Sequence, residues 1–260
     1  MKFKNKQPLS LLHEITSILR SENGCAWDRQ QTPLSLRQYL IEEAYELYDA
    51  IESGDTGHIK EELGDLLLQI YLHAQIASEK GLFSIDDVAR SIVEKIIRRH
   101  PHVFGDEKAA TADEVIHRWE KIKKNEKTGR ESLLDGVPRH LPALLKAYRI
   151  QQKVSRVGFD WERIEDVAAK LEEEVGELKK ALKSPDRGQL MEEAGDILFS
   201  IANILRFLKI NPEEALGKTN DKFIYRFKYI EKRAVELNKS LEDMSIDEME
   251  SLWAEAKNQV

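Results

Sequence analysis

Leu171-Glu172-Glu173-Glu174-Val175-Gly176-Glu177-Leu178, followed after a break by Glu192-Glu193-Ala194-Gly195-Asp196-Ile197-Leu198, decides the fold class of this chain. Around the first stretch, apolar residues recur at Val167, Ala168, Leu171, Val175, Leu178 and Leu182, the 3.6-residue period of a helix with one apolar face. Around the second, Leu190, Ala194, Ile197, Ile201, Ile204, Leu205 and Leu208 keep that period, and Ser184-Pro185-Asp186 separates the two. The spacing predicts an antiparallel helix pair joined by a tight turn. Residues three apart on a helix lie about one turn apart on one side. Glu174 with Glu177, and Glu193 with Asp196, therefore flank the two apolar stripes, and packing of the stripes is expected to bring four carboxylates to the seam. Four such charges repel unless a positive charge lies between them. A hard cation with oxygen ligands, Mg²⁺ or Mn²⁺, meets that need. Gly195, in mid-helix beside Asp196, disfavours the helix by about 0.5–1 kcal/mol relative to Ala, and is expected where another helix or a ligand comes close.

The same pattern occurs once more. Leu40-Ile41-Glu42-Glu43-Ala44-Tyr45-Glu46-Leu47 and Glu61-Glu62-Leu63-Gly64-Asp65-Leu66-Leu67 place Glu43, Glu46, Glu62 and Asp65 each 131 positions ahead of Glu174, Glu177, Glu193 and Asp196. Downstream, Lys95 and Arg99 answer Lys222 and Arg226, and Trp119 and Lys123 answer Trp253 and Lys257, each pair four apart. Asn125-Glu126-Lys127-Thr128-Gly129-Arg130, then Asp135-Gly136-Val137-Pro138 and Leu141-Pro142, form a polar, turn-rich connection between the halves. Two tandem helical modules are expected, residues 1–130 and 131–260, with the junction near 128–142. Further helices are expected at 34–52, 57–79, 84–99, 111–126, 143–155, 212–238 and 245–258. No segment has the strand period, so the chain is predicted all-α.

Composition narrows the function classes. The chain has 260 residues, a net charge of −7, 41% hydrophobic and 33% charged residues, too apolar for global disorder. No apolar run approaches the roughly 20 residues of a membrane span, and His13, Glu14 and Arg20 interrupt any signal-peptide pattern. A single cysteine, Cys25, leaves no intrachain disulfide and fits a reducing, cytoplasmic setting. The acidic balance argues against direct gripping of nucleic-acid backbone. Neither a Walker loop nor G-x-G-x-x-G is present. Glu114-Val115-Ile116-His117 is a lone Glu-x-x-His where a di-iron bundle uses two, and His100-Pro101-His102 has no counterpart in the second half. Lys222 and Arg226 share a helix face and suit phosphate oxygens, Trp253 and Lys257 suit a base and a phosphate, and Lys170 lies one turn before Glu174. The alternative is a set of solvated faces on a non-catalytic helical interaction protein that docks a basic partner. Duplication of both acidic pairs, each followed by spaced Lys and Arg, favours chemistry over that alternative.

Glu173-Glu174-x-x-Glu177 with Glu193-x-x-Asp196 resembles the all-α nucleoside triphosphate pyrophosphohydrolase family. With Asn23-Gly24-Cys25-Ala26-Trp27-Asp28, Arg98-Arg99-His100-Pro101-His102-Val103-Phe104 and Val157-Gly158-Phe159-Asp160-Trp161, nearly the whole chain is similar to the tandem MazG form. Ala26 departs from it, standing where the family has proline. The resemblance implies Mg²⁺-dependent hydrolysis of nucleoside triphosphates to monophosphate and pyrophosphate, with broad base tolerance and a role in nucleotide-pool control. A narrower hydrolase of dUTP or of a modified nucleotide is the alternative within that chemistry. It also implies a homodimer with four-helix-bundle-like packing, and a C-terminal module that carries most of the activity. By motif, Glu174, Glu177, Glu193 and Asp196 become the catalytic metal ligands. Lys170, Glu173, Glu192, Lys222, Arg226, Trp253 and Lys257 become nucleotide contacts, with Trp253 the stacking candidate. Glu43, Glu46, Glu62, Asp65, Lys95, Arg99, Trp119 and Lys123 are their first-module equivalents.

Overall fold

A computed structural model describes residues 6–106, 111, 114, 115, 119, 122, 132–184 and 186–258; among these every regular element is helical and there is no strand. The chain divides into two compact units, Met1–Thr128 and Gly129–Val260.

The first unit comprises α1 (Pro8–Arg20), α2 (Ala26–Gln30), α3 (Pro33–Ser53), α4 (Thr56–Glu79), α5 (Ile85–Arg99) and the single turn α6 (Pro101–Phe104). Local chemistry sets the central hairpin. Thr32 and Ser35 form a reciprocal capping box ahead of Pro33, which starts α3. Gly54 ends α3 at φ 73°, in the left-handed region. Asp55 then caps α4, its carboxylate accepting the Gly57 N–H at 2.8 Å and the His58 N–H at 3.3 Å. α3 and α4 pack through Leu36, Leu72 and Ile76, all buried, with Tyr39 and Leu68 beside them. α1 is tied to α4 by a fork, in which Arg20 Nε and Nη2 donate to the two oxygens of Glu79, each at 2.8 Å. Arg20 also donates to the backbone oxygens of Asp28 and Gln31, so one guanidinium joins α1, α2 and α4. That guanidinium holds the Glu79 carboxyl below its usual range.

The second unit comprises α7 (Ala143–Ser155), α8 (Ile164–Ala181), α9 (Arg187–Phe207), α10 (Pro212–Glu236), a 3₁₀ turn (Leu241–Asp243) and α11 (Ile246–Lys257). Asp186 repeats the cap of Asp55, accepting the Gly188 N–H at 2.8 Å and the Gln189 N–H at 3.3 Å. α8 and α9 form the expected hairpin, and α7 covers α9, where Gln151 Nε2 donates to the Phe199 carbonyl at 2.8 Å. α10 and α11 close on Ile230, Ala234, Met244 and Leu252.

The long helices start and end within a few residues of the sequence expectation. α1 and α2 have no counterpart in it. Of the expected 111–126 helix, Glu114, Val115, Trp119 and Ile122 are helical, and the remainder lies outside the described residues except Thr111. Among the described residues nothing lies within 4 Å of where a Cβ on Gly64 or Gly195 would sit, so the close approach of another helix expected there is not seen.

Candidate metal and nucleotide site

In the second unit α8 presents Glu174 and Glu177 and α9 presents Glu193, with one carboxylate oxygen of each lying within 4.8 Å of the others. Glu174 is buried, at 5% exposed, and Glu177 and Glu193 are half-buried. Asp196, one turn further along α9, is exposed and stands outside that close group, lining a cavity together with Glu174. Lys170 bridges the end of the cluster, its Nζ 2.8 Å from Glu174 and 2.9 Å from Glu173. These two carboxylates hold the Lys170 ammonium charged to well above its ordinary range. The Glu193 carboxyl is pushed up, first by lost hydration and then by Glu177, Asp196, Glu192 and Glu174. One lysine therefore leaves the group short of positive charge, the condition that favours a cation.

The adjoining cavity measures about 550 Å³, within the range of small-molecule sites. Lys170, Glu174 and Asp196 form one side. The loop after α7 forms another and is shaped by Gly158, whose φ of 86° strains any side chain. That turn lets the Phe159 N–H reach back to the Val154 carbonyl at 3.2 Å. It also delivers Phe159, Asp160 and Trp161 to the cavity. Asp160 is pinned from α9 by Arg206, whose Nη1 donates to Oδ2 at 2.9 Å while Nη2 donates to Oδ1. Arg206 Nε donates to Asn203 Oδ1 at 2.9 Å.

Gln151, Asp160, Trp161, Asn203 and Arg206 were not among the sequence candidates. The Val157–Trp161 motif marks the loop, but its partners come from α7 and α9, 46 residues away in the case of Asp160 and Arg206. Glu192, Lys222, Arg226, Trp253 and Lys257 do not line this cavity. Glu192 is exposed on α9, and Lys222 and Lys257 are exposed on α10 and α11. Arg226 lies 5.5 Å above the Trp253 ring, and Trp253 packs on the apolar cluster between α10 and α11.

The first unit builds a related but different group. Glu43, Glu62 and Asp65 bring oxygens within 4.8 Å of one another, and Glu46 is exposed outside them. The Glu43 carboxyl is raised by burial, Gln69 offsetting this with a 3.4 Å hydrogen bond, and Asp65, Glu46 and Glu62 raise it further. His58 Nε2 lies 3.0 Å from Glu62. At the position of Lys170, 131 residues earlier, stands Tyr39, so the cluster has no matching lysine. Arg99 lies 5.4 Å over the Trp119 ring, repeating the Arg226–Trp253 pair. Lys95 is half-buried on α5, and Lys123 lies outside the described residues.

Residues 31–104 and 162–230 each match the model of the MazG nucleotide pyrophosphohydrolase domain. The chain is 51% identical over 260 residues to the uncharacterized protein YabN of Bacillus subtilis, covering 97% of this chain and 53% of that protein. The chain thus spans about half the length of that relative. It is 49% identical over 251 residues to the nucleoside triphosphate pyrophosphohydrolase/pyrophosphatase MazG of Thermotoga maritima, covering 95% of this chain and 96% of that protein. It is 40% identical over 253 residues to a nucleoside triphosphate pyrophosphohydrolase of Escherichia coli K12, covering 96% of each.

Proposed function

The chain belongs to the MazG nucleotide pyrophosphohydrolase family, and from that premise we propose that it hydrolyses nucleoside triphosphates to monophosphate and pyrophosphate in its second unit. The observation that carries this is the group of Glu174, Glu177 and Glu193 opening, through Glu174 and Lys170, onto a cavity large enough for a nucleotide. Those three donors are all carboxylates, which fits Mg²⁺, with Mn²⁺ as a substitute, better than a soft metal. Glu174, Glu177, Glu193 and Asp196 would hold the ion, which when bound polarises a phosphoryl oxygen and lowers the pKa of water.

The rest falls to the chain's own groups. Lys170 and Arg206 both border the cavity; Arg206 is engaged by Asp160, and the Lys170 ammonium offsets phosphate charge while anchored on Glu174 and Glu173. A carboxylate of the cluster takes the proton from attacking water. Rigid helices fix these groups, which suits phosphoryl transfer, where positioning and charge neutralisation supply most of the catalysis. A homodimer is part of the proposal. Ile41, Tyr45 and Ile51 on α3 and Phe223 and Ile224 on α10 are large, apolar and exposed, and a second copy would cover them. Among the described residues no helix is long and apolar enough to cross a membrane.

Hydrolysis in ¹⁸O-labelled water with Mg²⁺ tests the reaction. Label is expected in the nucleoside monophosphate, from attack at the α-phosphorus. Release of diphosphate nucleotide with orthophosphate overturns the assignment.

A further inference from the structure

In the first unit, the stripe of α4 that meets α3 carries donors that its counterpart in the second unit does not. His58, Glu62, Asp65 and Gln69 follow one another at intervals of four, three and four, which keeps them on one side of the helix. Glu62 and Asp65 meet Glu43 of α3. Gln69 reaches the same Glu43, its Nε2 3.4 Å from Oε1. His58 Nε2 stands 3.0 Å from Glu62 Oε1. At the matching positions of the second unit, 131 residues on, stand Gln189 and Ser200, so an imidazole occurs on this stripe in the first unit alone.

Gln69 points to a ligand independently of the carboxylates. It is only 7% exposed, and its Oε1 is buried with no hydrogen-bond partner. A buried acceptor without a donor is unfavourable. Turning the amide over would aim that oxygen at Glu43, which repels it unless a cation lies between them; with a cation there, the oxygen becomes a ligand. The spacing of His58 and Glu62 fits the same ion. Two donors about 2.1 Å from one metal and at right angles to each other lie about 3 Å apart.

We propose that His58, Glu62, Asp65, Glu43 and Gln69 form a mixed nitrogen and oxygen site for a divalent first-row transition ion, which joins α3 to α4 in the first unit. Imidazole adds little for Mg²⁺, a hard ion, and much for ions of the Mn²⁺ to Zn²⁺ series. The site serves structure rather than turnover. Tyr39 stands where the second unit has Lys170, and it packs on the apolar cluster of Leu36, Leu72 and Ile76. The ion thus crosslinks the hairpin whether or not the second unit hydrolyses nucleotides.

The test is ¹H NMR of the full chain titrated with Co²⁺, a paramagnetic probe that strongly shifts the ring protons of an imidazole bound to it. The acidic group of the second unit contains no histidine among the described residues, so such a shift reports on the first. Shifted ring resonances are expected in the unaltered chain and not in His58→Ala. Mg²⁺ is expected to displace them only at about tenfold or greater excess over Co²⁺. Gln69→Leu keeps the bulk and removes the oxygen, and should make that displacement easier. His58→Gln gives the first unit the residue of the second. It is expected to reduce the rise in melting temperature that Co²⁺ produces and to leave the rise from Mg²⁺ unchanged. Absence of shifted ring resonances at saturating Co²⁺, or their persistence in His58→Ala, overturns the site. Displacement by Mg²⁺ at parity overturns the preference for a transition ion. Equal loss of the Co²⁺ and Mg²⁺ responses in His58→Gln also overturns it, and leaves His58 as a partner of Glu62 alone.

Discussion

A carboxyl whose pKa is raised by folding stabilises the folded chain below its unfolded pKa and loses that contribution as pH rises through the folded value. Glu193 is such a group, raised by lost hydration and by the carboxylates of Glu177, Asp196, Glu192 and Glu174. At neutral pH without divalent cation, Glu193 therefore works against folding of the second unit. Glu193→Gln is expected to raise the melting temperature of the cation-free protein and to abolish the further rise on adding Mg²⁺. It should also lower turnover at least about 100-fold, since even groups behind a metal ligand alter affinity about 10–100-fold. Calorimetry with and without Mg²⁺, beside a turnover assay at saturating Mg²⁺, checks all three, and near-normal turnover would remove Glu193 from the ligand set. At this scale the acidic residues were legible because helical spacing alone puts Glu174 beside Glu177. Gln151 was not, because its partner is the Phe199 carbonyl, 48 residues away on another helix, which sequence spacing does not bring to it.

At the scale of elements, caps and ion pairs decide how firmly the site is held. Asp186 fixes the start of α9, the helix that carries Glu193 and Asp196. Asp186→Ala is expected to destabilise the second unit by about 1 kcal/mol, read as a lower denaturant midpoint. In the first unit Glu79 is held low by Arg20, so its contribution is present above the unfolded pKa and is lost as pH falls through the lower folded value. Glu79→Gln is expected to destabilise that unit by about 1–3 kcal/mol, toward the low end because Glu79 is about a third exposed. The deficit should shrink on acidification, which urea titrations at several pH values would show. α3, α4, α8 and α9 were legible from their apolar period and flanking breaks. α1 and α2 were not. α1 has 13 residues and α2 only five, and their attachment depends on the distant Glu79 meeting Arg20.

For the whole molecule, duplication was the most legible feature, and the inequality of the two copies the least. Both acidic quartets are complete in sequence, yet Tyr39 stands at the position of Lys170 and His58 leans on Glu62 in the first unit. Glu62→Gln is accordingly expected to spare most turnover where Glu193→Gln does not, and equal losses in a side-by-side assay would mean that both units work or are coupled. Gly64 and Gly195, with empty space where a side chain would be, make the chain its own control. Within a helix, alanine in place of either is favoured by about 0.5–1 kcal/mol, so each substitution should raise the melting temperature by a few degrees. At Gly195, beside the site proposed to turn over, the added methyl should slow turnover; at Gly64 it should not. An engineer seeking heat resistance could then take the first glycine freely and would have to trade speed for the second.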